Sequence, residues 1–252
     1  MEKTRKLRPA PCGVSVGHYR ITAGTLGCLV LDILRKAPAI LSNNHVLANC
    51  NEAAIGDLIT QPGPYDVNAN YPGRPLEEFR IAALARFVPI RWATECPFRK
   101  AYFRLLGKVD WENLVDSAIA YPEERVVPKM FTDGLVPDGA ISPKELEVGM
   151  TVRKDGRTTC LTKGSVGDIY WSGYVWYGTR RAYFTDQMAI HQPGFSAGGD
   201  SGSLVTTIDG RAVGLLFAGS YNVTIANKIW NVERLLKVRI PRKEYWREMG
   251  LA

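Results

Sequence analysis

The sequence lacks any CxxC pair. Its five cysteines, Cys12, Cys28, Cys50, Cys96 and Cys160, are odd in number and scattered. That pattern excludes the usual structural zinc spacings, and no metal site is expected. Reduced, mostly buried thiols are the main expectation. A Cys28–Cys50 disulfide is the alternative, because these two bracket His45. No run of 18 apolar residues exists, so no spanning helix and no membrane partner are expected. The apolar stretch near the N-terminus is interrupted by Gly13 and Gly17 and is too weak for a signal-peptide core, which gives a cytoplasmic expectation. The glycine-rich segment 194–202 has no following Lys-Ser/Thr, so a phosphate loop is absent and no cofactor is expected. There is no internal repeat and no low-complexity tract.

What the chain has in quantity is turn chemistry. Its 252 residues include 24 glycines and 15 prolines. With 46% apolar and 23% charged residues it is of ordinary globular composition, and this much Gly and Pro favours many short strands over a few long helices. Apolar runs at 26–34, 39–42, 115–121, 150–154, 157–162, 166–169, 173–177, 181–185, 188–191, 204–208 and 212–217 fit that rhythm. Asp155-Gly156 and Asp209-Gly210 read as hairpin turns. Residues 61–75, rich in Pro, Gly and Asn, read as a surface loop. The period changes at 226–238, where Ile229, Val232, Leu235 and Leu236 share a helical face.

These signals divide the chain. Residues 1–19 form a basic N-terminal extension, 20–125 a first β-barrel, 126–145 a Pro/Gly connector, 146–226 a second barrel, and 227–252 a C-terminal helix and basic tail. The expected fold is all-β: two antiparallel barrels, which cap their own sheet edges, followed by a C-terminal α-helix. Patterning alone does not distinguish two barrels from one sandwich.

The net charge is +7 and it is unevenly spread. Arg80, Arg86, Arg91, Arg99, Lys100, Arg104 and Lys108 are offset between 80 and 108 only by Glu95. Phe87, Trp92, Phe98, Tyr102 and Phe103 are interleaved with them. Such a segment can hold an acidic partner or nucleic acid. No nucleic-acid motif accompanies it, so the expectation is a solvated insertion at 91–108 whose aromatics pack onto the domain, without a nucleic-acid partner.

The sharpest chemical signal is Gly198-Gly199-Asp200-Ser201-Gly202-Ser203. A serine hydroxyl is a poor nucleophile at neutral pH and needs a base within reach and donors for the oxyanion it creates. Glycines around Ser201 let the backbone turn sharply, and the N–H groups of Gly199 and Ser201 have the separation to serve as two such donors. Ser42-Asn43-Asn44-His45 places an imidazole just past an apolar run. Val115-Asp116-Ser117 places a carboxylate inside one, where it is costly unless it meets a donor such as a histidine N–H. His18 and His191 read as structural or substrate-facing. Asp57, Asp66 and Asp110 compete less well than Asp116. The order His45, Asp116, Ser201 is one of the known orders for a Ser-His-Asp triad.

GDSGS at 199–203, NNHV at 43–46 and DSAIA at 116–120 together resemble the trypsin-like (chymotrypsin-fold) serine peptidases, and among them the bacterial type. The resemblance spans roughly residues 20–237. It implies two six-stranded barrels with His45 and Asp116 on the first and Ser201 on the second, Gly199 and Ser201 amides as oxyanion hole, and Phe217, Ala218 and Gly219 pairing with an extended substrate backbone. Phe195 stands where trypsins carry the aspartate that selects basic side chains, so Phe195 and Thr224 would make an apolar or small pocket. Asp200, which pairs with a new N-terminus in zymogen-activated relatives, has no activation site to supply one here. The implied activity is serine endopeptidase, with a protein or peptide substrate and possible narrow processing specificity. The alternative is an inactive protease-fold binding protein that uses its basic insertion.

Overall fold

The computed structural model describes residues 2–251. The first barrel is one sheet ordered Cys28–Asp32, Ala37–Ser42, Ala118–Pro122, Arg80–Phe87, Leu58–Thr60, Ser15–His18 and Gly24–Thr25, with Val238–Arg239 added outside Cys28–Asp32. The sheet closes because its two ends are one piece of chain: Gly24–Thr25 runs straight on into Cys28–Asp32. At that seam Leu26 N–H donates to Val14 O (2.9 Å) and Gly27 N–H to Leu41 O (3.0 Å). Val16, Leu29, Ile40, Ile59, Ile81 and Ile119, on the two faces of this sheet, are all buried in one hydrophobic cluster.

The second barrel is ordered Cys160–Tyr177, Thr151–Gly156, Leu204–Thr207, Ala212–Gly219, Val223–Lys228 and Arg180–His191, and the last strand pairs back with the first. Each barrel thus has six strands, antiparallel throughout. The Ile229–Leu236 helix follows and packs Ile229, Val232 and Leu236 into the core of the first half. The double barrel and its C-terminal helix are those expected. No helix among the described residues is long and apolar enough to cross a membrane.

Several local features differ from the sequence reading. Ser15–His18 is a barrel strand, and Lys3 is buried in an ion pair with Asp155, so residues 2–19 are integrated with both halves. Residues 61–75 are not simply a surface loop: Gln61 is buried, and Pro64–Asn70 forms a helix whose Asp66 accepts a bidentate pair from Arg157 of the second barrel (2.7 and 2.5 Å). Strand pairing runs through Asp155-Gly156 to Gly156↔Cys160, so the reversal falls at Arg157-Thr158-Thr159 instead. The runs at 166–169 and 173–177 belong to one 18-residue strand that bends at three register shifts. Cys28 and Cys50 are not bridged; burial pushes the Cys12 thiol up to about 12 and Cys28 well above its ordinary value.

The insertion departs most. Its core is a Pro97–Leu105 helix with no buried residue. Phe98 is 87% and Leu105 86% exposed. Of the helix aromatics only Phe103 is half-buried, beneath Arg99, which pairs with Asp110 (2.6 Å). Aromatic packing onto the domain comes instead from Trp92, which meets Tyr177 edge-on.

Candidate functional site

Of the residues singled out from sequence, His45, Ser201, Phe217, Ala218 and Gly219 line a cleft of about 1060 Å³ formed from both barrels. His45 lies in a single helical turn, Asn44–Leu47, that follows the Ala37–Ser42 strand. Asn43 fixes that turn: its backbone O accepts from Leu47 N (2.9 Å), and its side-chain Nδ2 donates to Asp116 O (2.8 Å). The first N–H groups of a helical turn have no partner within it, and that of His45 donates to Asp116 Oδ1 (3.2 Å). Asp116 stands two residues before the Ala118–Pro122 strand, not within a strand. Its backbone N–H donates to Asn227 Oδ1 of the second barrel (3.0 Å).

His45 Nδ1 is 2.6 Å from Asp116 Oδ2. Asp116 is fully buried, whereas the imidazole is partly open to the cleft. A carboxylate oxygen accepts, so this contact places an imidazole proton on Nδ1. In the neutral ring that leaves Nε2 as an acceptor. His45 and Ser201 line the same cleft.

The Ser201 loop is clamped from both sides. Thr25 of the first barrel donates its N–H to Ser201 O (2.8 Å) and its hydroxyl to Gly199 O (2.9 Å). Gly202, at φ +93°, comes so close to Ser42 that a Cβ would stand 2.0 Å from the Ser42 hydroxyl oxygen. Only glycine fits there. Asp200 N–H bonds Ala197 O, Gly202 N–H bonds Leu216 O and Ser203 N–H bonds Asp200 O. Among the described residues the N–H groups of Gly199 and Ser201 have no partner within the chain. Two unused donors flanking one hydroxyl are suited to a developing negative oxygen.

Asp200 has found partners other than a chain terminus. Its fully buried carboxylate accepts from Thr158 N (2.8 Å), Ala197 N (3.0 Å) and the Thr159 hydroxyl (2.7 Å). The ammonium of Lys154 stands 3.5 Å away, equally buried. Burial holds Lys154 below the ordinary lysine value, with Asp200 opposing. This ion pair is internal to the second barrel and ties residues 158–159 and 197 around the Ser201 loop. Asp200→Ala should therefore leave an unpaired buried ammonium and loosen the loop. The expected cost is about 3–5 kcal/mol of stability, or roughly 6–20 °C in Tm, measured by thermal unfolding. A Tm within a degree or two of wild type would show that the pair does not hold the loop.

The pocket residues divide. Phe217, Ala218 and Gly219 line the cleft, as do Ser196, Ala197 and Gly198. Phe195 does not: it is 1% exposed and packs inward with Val152, Val166, Ile190 and Leu216. The side chain facing the cleft is that of the next residue, Ser196. Thr224 is also buried, and its hydroxyl hydrogen-bonds that of Ser196 from beneath (2.6 Å). Phe195 lies in the turn that follows the Arg180–His191 strand, its N–H bonded to Gln192 O (3.1 Å), and its ring drops into the second-barrel core.

Sequence reasoning missed three groups. Asn43 carried a signal, since it sits in the same NNHV segment. Asn227 carried none, and Tyr177 reads from sequence only as one of the core and cleft-wall aromatics at 170–184. Tyr177 lies 61 positions beyond Asp116 yet donates its hydroxyl to Asp116 Oδ2 (2.8 Å). His18 is bonded to Asp57 (3.0 Å) within the first barrel, away from the cleft.

The fold has known counterparts. The Nocardiopsis protease NAPase superposes with a TM-score of 0.60 at 12% identity, over 93% of this chain and 100% of that one. Thermobifida fusca protease A gives 0.59 at 13% identity, over 94% and 100%. Cellulomonas bogoriensis chymotrypsin gives 0.58 at 13%, over 94% and 100%. The chain thus has the fold of the bacterial chymotrypsin-fold serine proteases. No protein-family model and no curated protein sequence matches it.

Proposed function

We propose that the protein is a serine endopeptidase. The observation that carries this reading is the pairing of His45 with a fully buried Asp116 (2.6 Å) in the wall of the cleft that also holds Ser201. In the proposed mechanism His45 Nε2 takes the proton of the Ser201 hydroxyl as its oxygen attacks a peptide carbonyl. Asp116 keeps the imidazole oriented and stabilises its charged form. The N–H groups of Gly199 and Ser201 receive the oxyanion. His45 then returns the proton to the leaving amine, an acyl-enzyme remains on Ser201, and water releases it by the same sequence.

The substrate backbone lies along Phe217–Gly219, the end of the Ala212–Gly219 strand that runs past its pairing with Leu204–Thr207, as an added strand. Around the cleft His45 is the one titratable base, and no Asp, Glu, Lys or Arg lines it among the described residues. Leu216, Phe217, Val223 and Ile225 supply apolar wall. A charged side chain would enter without a countercharge, which costs several kcal/mol. Peptides with an apolar residue before the cleaved bond should have kcat/KM on the order of 100-fold above those with Lys, Arg, Asp or Glu there. A library of quenched peptides, with products sequenced, measures this. Preferred cleavage after charged residues would overturn the pocket assignment; no cleavage of any peptide or of denatured casein would overturn the reading itself.

A further inference from the structure

Asp116 accepts one hydrogen bond more than the pairing with His45 requires, and it comes from the other barrel. The donor is Tyr177, whose hydroxyl reaches Oδ2 (2.8 Å), the same oxygen that His45 Nδ1 meets. Tyr177 ends the long Cys160–Tyr177 strand, and the two residues Gly178-Thr179 turn the chain into Arg180–His191. From residue 170 to 177 exposure alternates, so that Trp171, Val175 and Tyr177 face inward while Tyr170, Tyr174 and Trp176 face outward.

The tip of this hairpin is fastened to the first barrel. Arg180 pairs with Glu52 (2.7 Å) and covers the Trp92 ring. Ala93 N–H donates to Arg181 O (2.9 Å). The Tyr177 ring stands edge-on to both His45 and Trp92. Burial and the neighbouring Asp116 push the Tyr177 phenol well above its usual value, so at neutral pH it is a donor. Besides His45, the titratable and charged groups around this carboxylate are Tyr177 and Cys50, with Arg180 and Glu52 beyond.

We propose that Tyr177 is a positioning residue for the His45–Asp116 pair: its hydroxyl holds the carboxylate at the angle His45 needs and draws off part of its charge. This inference rests on the peptidase reading. Tyr177 takes no proton and touches no substrate bond. Without it, Oδ2 keeps His45 as its one side-chain donor, the carboxylate gains freedom to rotate, and the imidazole meets a more concentrated negative charge. The first change lowers the fraction of correctly aimed imidazole. The second favours the protonated imidazole, which cannot act as base.

Tyr177→Phe keeps the ring and removes only the donor. We expect kcat to fall about 10- to 100-fold, the loss of one hydrogen bond to a charged group, with KM changed less than about twofold because ground-state binding is untouched. The acid limb of the pH–kcat/KM profile should move to higher pH. Tyr183→Phe, on the same hairpin but without contact to Asp116, should leave kcat and the profile unchanged. A fluorinated tyrosine at 177, a stronger donor in a folded protein of unchanged shape, should move the limb to lower pH. If Tyr177→Phe folds with wild-type kcat and profile, or if the fluorinated side chain leaves the limb in place, the inference is overturned. Failure of the underlying reading is distinct: the wild-type protein would then hydrolyse nothing, whatever stands at 177.

Discussion

Ser201→Ala should lower kcat by about six orders of magnitude, to the level left by binding and oxyanion donors alone. The substitution removes one oxygen, and with it the atom that bonds to the substrate carbonyl. It removes little else. The Ser201 side chain makes no hydrogen bond among the described residues, and the loop is held instead through backbone and neighbours: Thr25 N–H on Ser201 O, Gly202 N–H on Leu216 O, and Asp200 beneath. The variant should therefore unfold within about 0.5 kcal/mol of wild type. Paired measurements of peptide hydrolysis and thermal unfolding separate chemistry from folding. A variant that retains more than a few per cent of the activity would place the nucleophile elsewhere.

Asp116→Asn should cost about four orders of magnitude in kcat. An amide has the shape of the carboxylate but only one accepting atom. In this site three donors converge on the carboxylate: His45 Nδ1 and the Tyr177 hydroxyl on Oδ2, and His45 N–H on Oδ1. Whichever way the amide turns, its NH2 confronts a donor. If it faces His45, the imidazole must carry its proton on Nε2 and can no longer accept one from Ser201. If it faces the His45 backbone, the N–H of that residue is orphaned. Either way no anion remains to stabilise the imidazolium. Removal of buried charge also removes its desolvation cost, so stability should change far less than activity. Kinetics across pH 6–10 check this, since the residual rate of a wrong-tautomer enzyme should rise at high pH. A loss below about tenfold would mean that His45 does not depend on this carboxylate.

The site was legible in the sequence where chemistry is local. Gly-rich flanks around Ser201, the NNHV turn of His45 and a carboxylate in an apolar run at Asp116 are short-range patterns, and the structure brings His45 and Asp116 into contact and His45 and Ser201 into one cleft. The all-β character was legible because short strands and Gly/Pro turns recur through the chain, whereas closure into two six-stranded barrels was implied only by the resemblance that the three motifs carry. What escaped was set by direction and distance. Phe195 has the right spacing from Ser201, but the turn at 192–195 sends its ring into the core and leaves Ser196 at the cleft. The partner of Asp200 could not be read from its neighbours, because Lys154 arrives on a strand 46 positions earlier. Tyr177 reaches Asp116 only because a bent hairpin crosses to the other barrel. The helix at Pro97–Leu105 was hidden behind aromatics that composition assigns to a core and the structure leaves in solvent.

Reaction with a fluorophosphonate, followed by mass analysis of the peptides, tests whether Ser201 is an activated nucleophile. One adduct per chain is expected, on Ser201, lost in Ser201→Ala and slowed by orders of magnitude in His45→Ala. A folded protein that takes up no label at Ser201 would contradict the peptidase reading and favour a protease-fold binding protein.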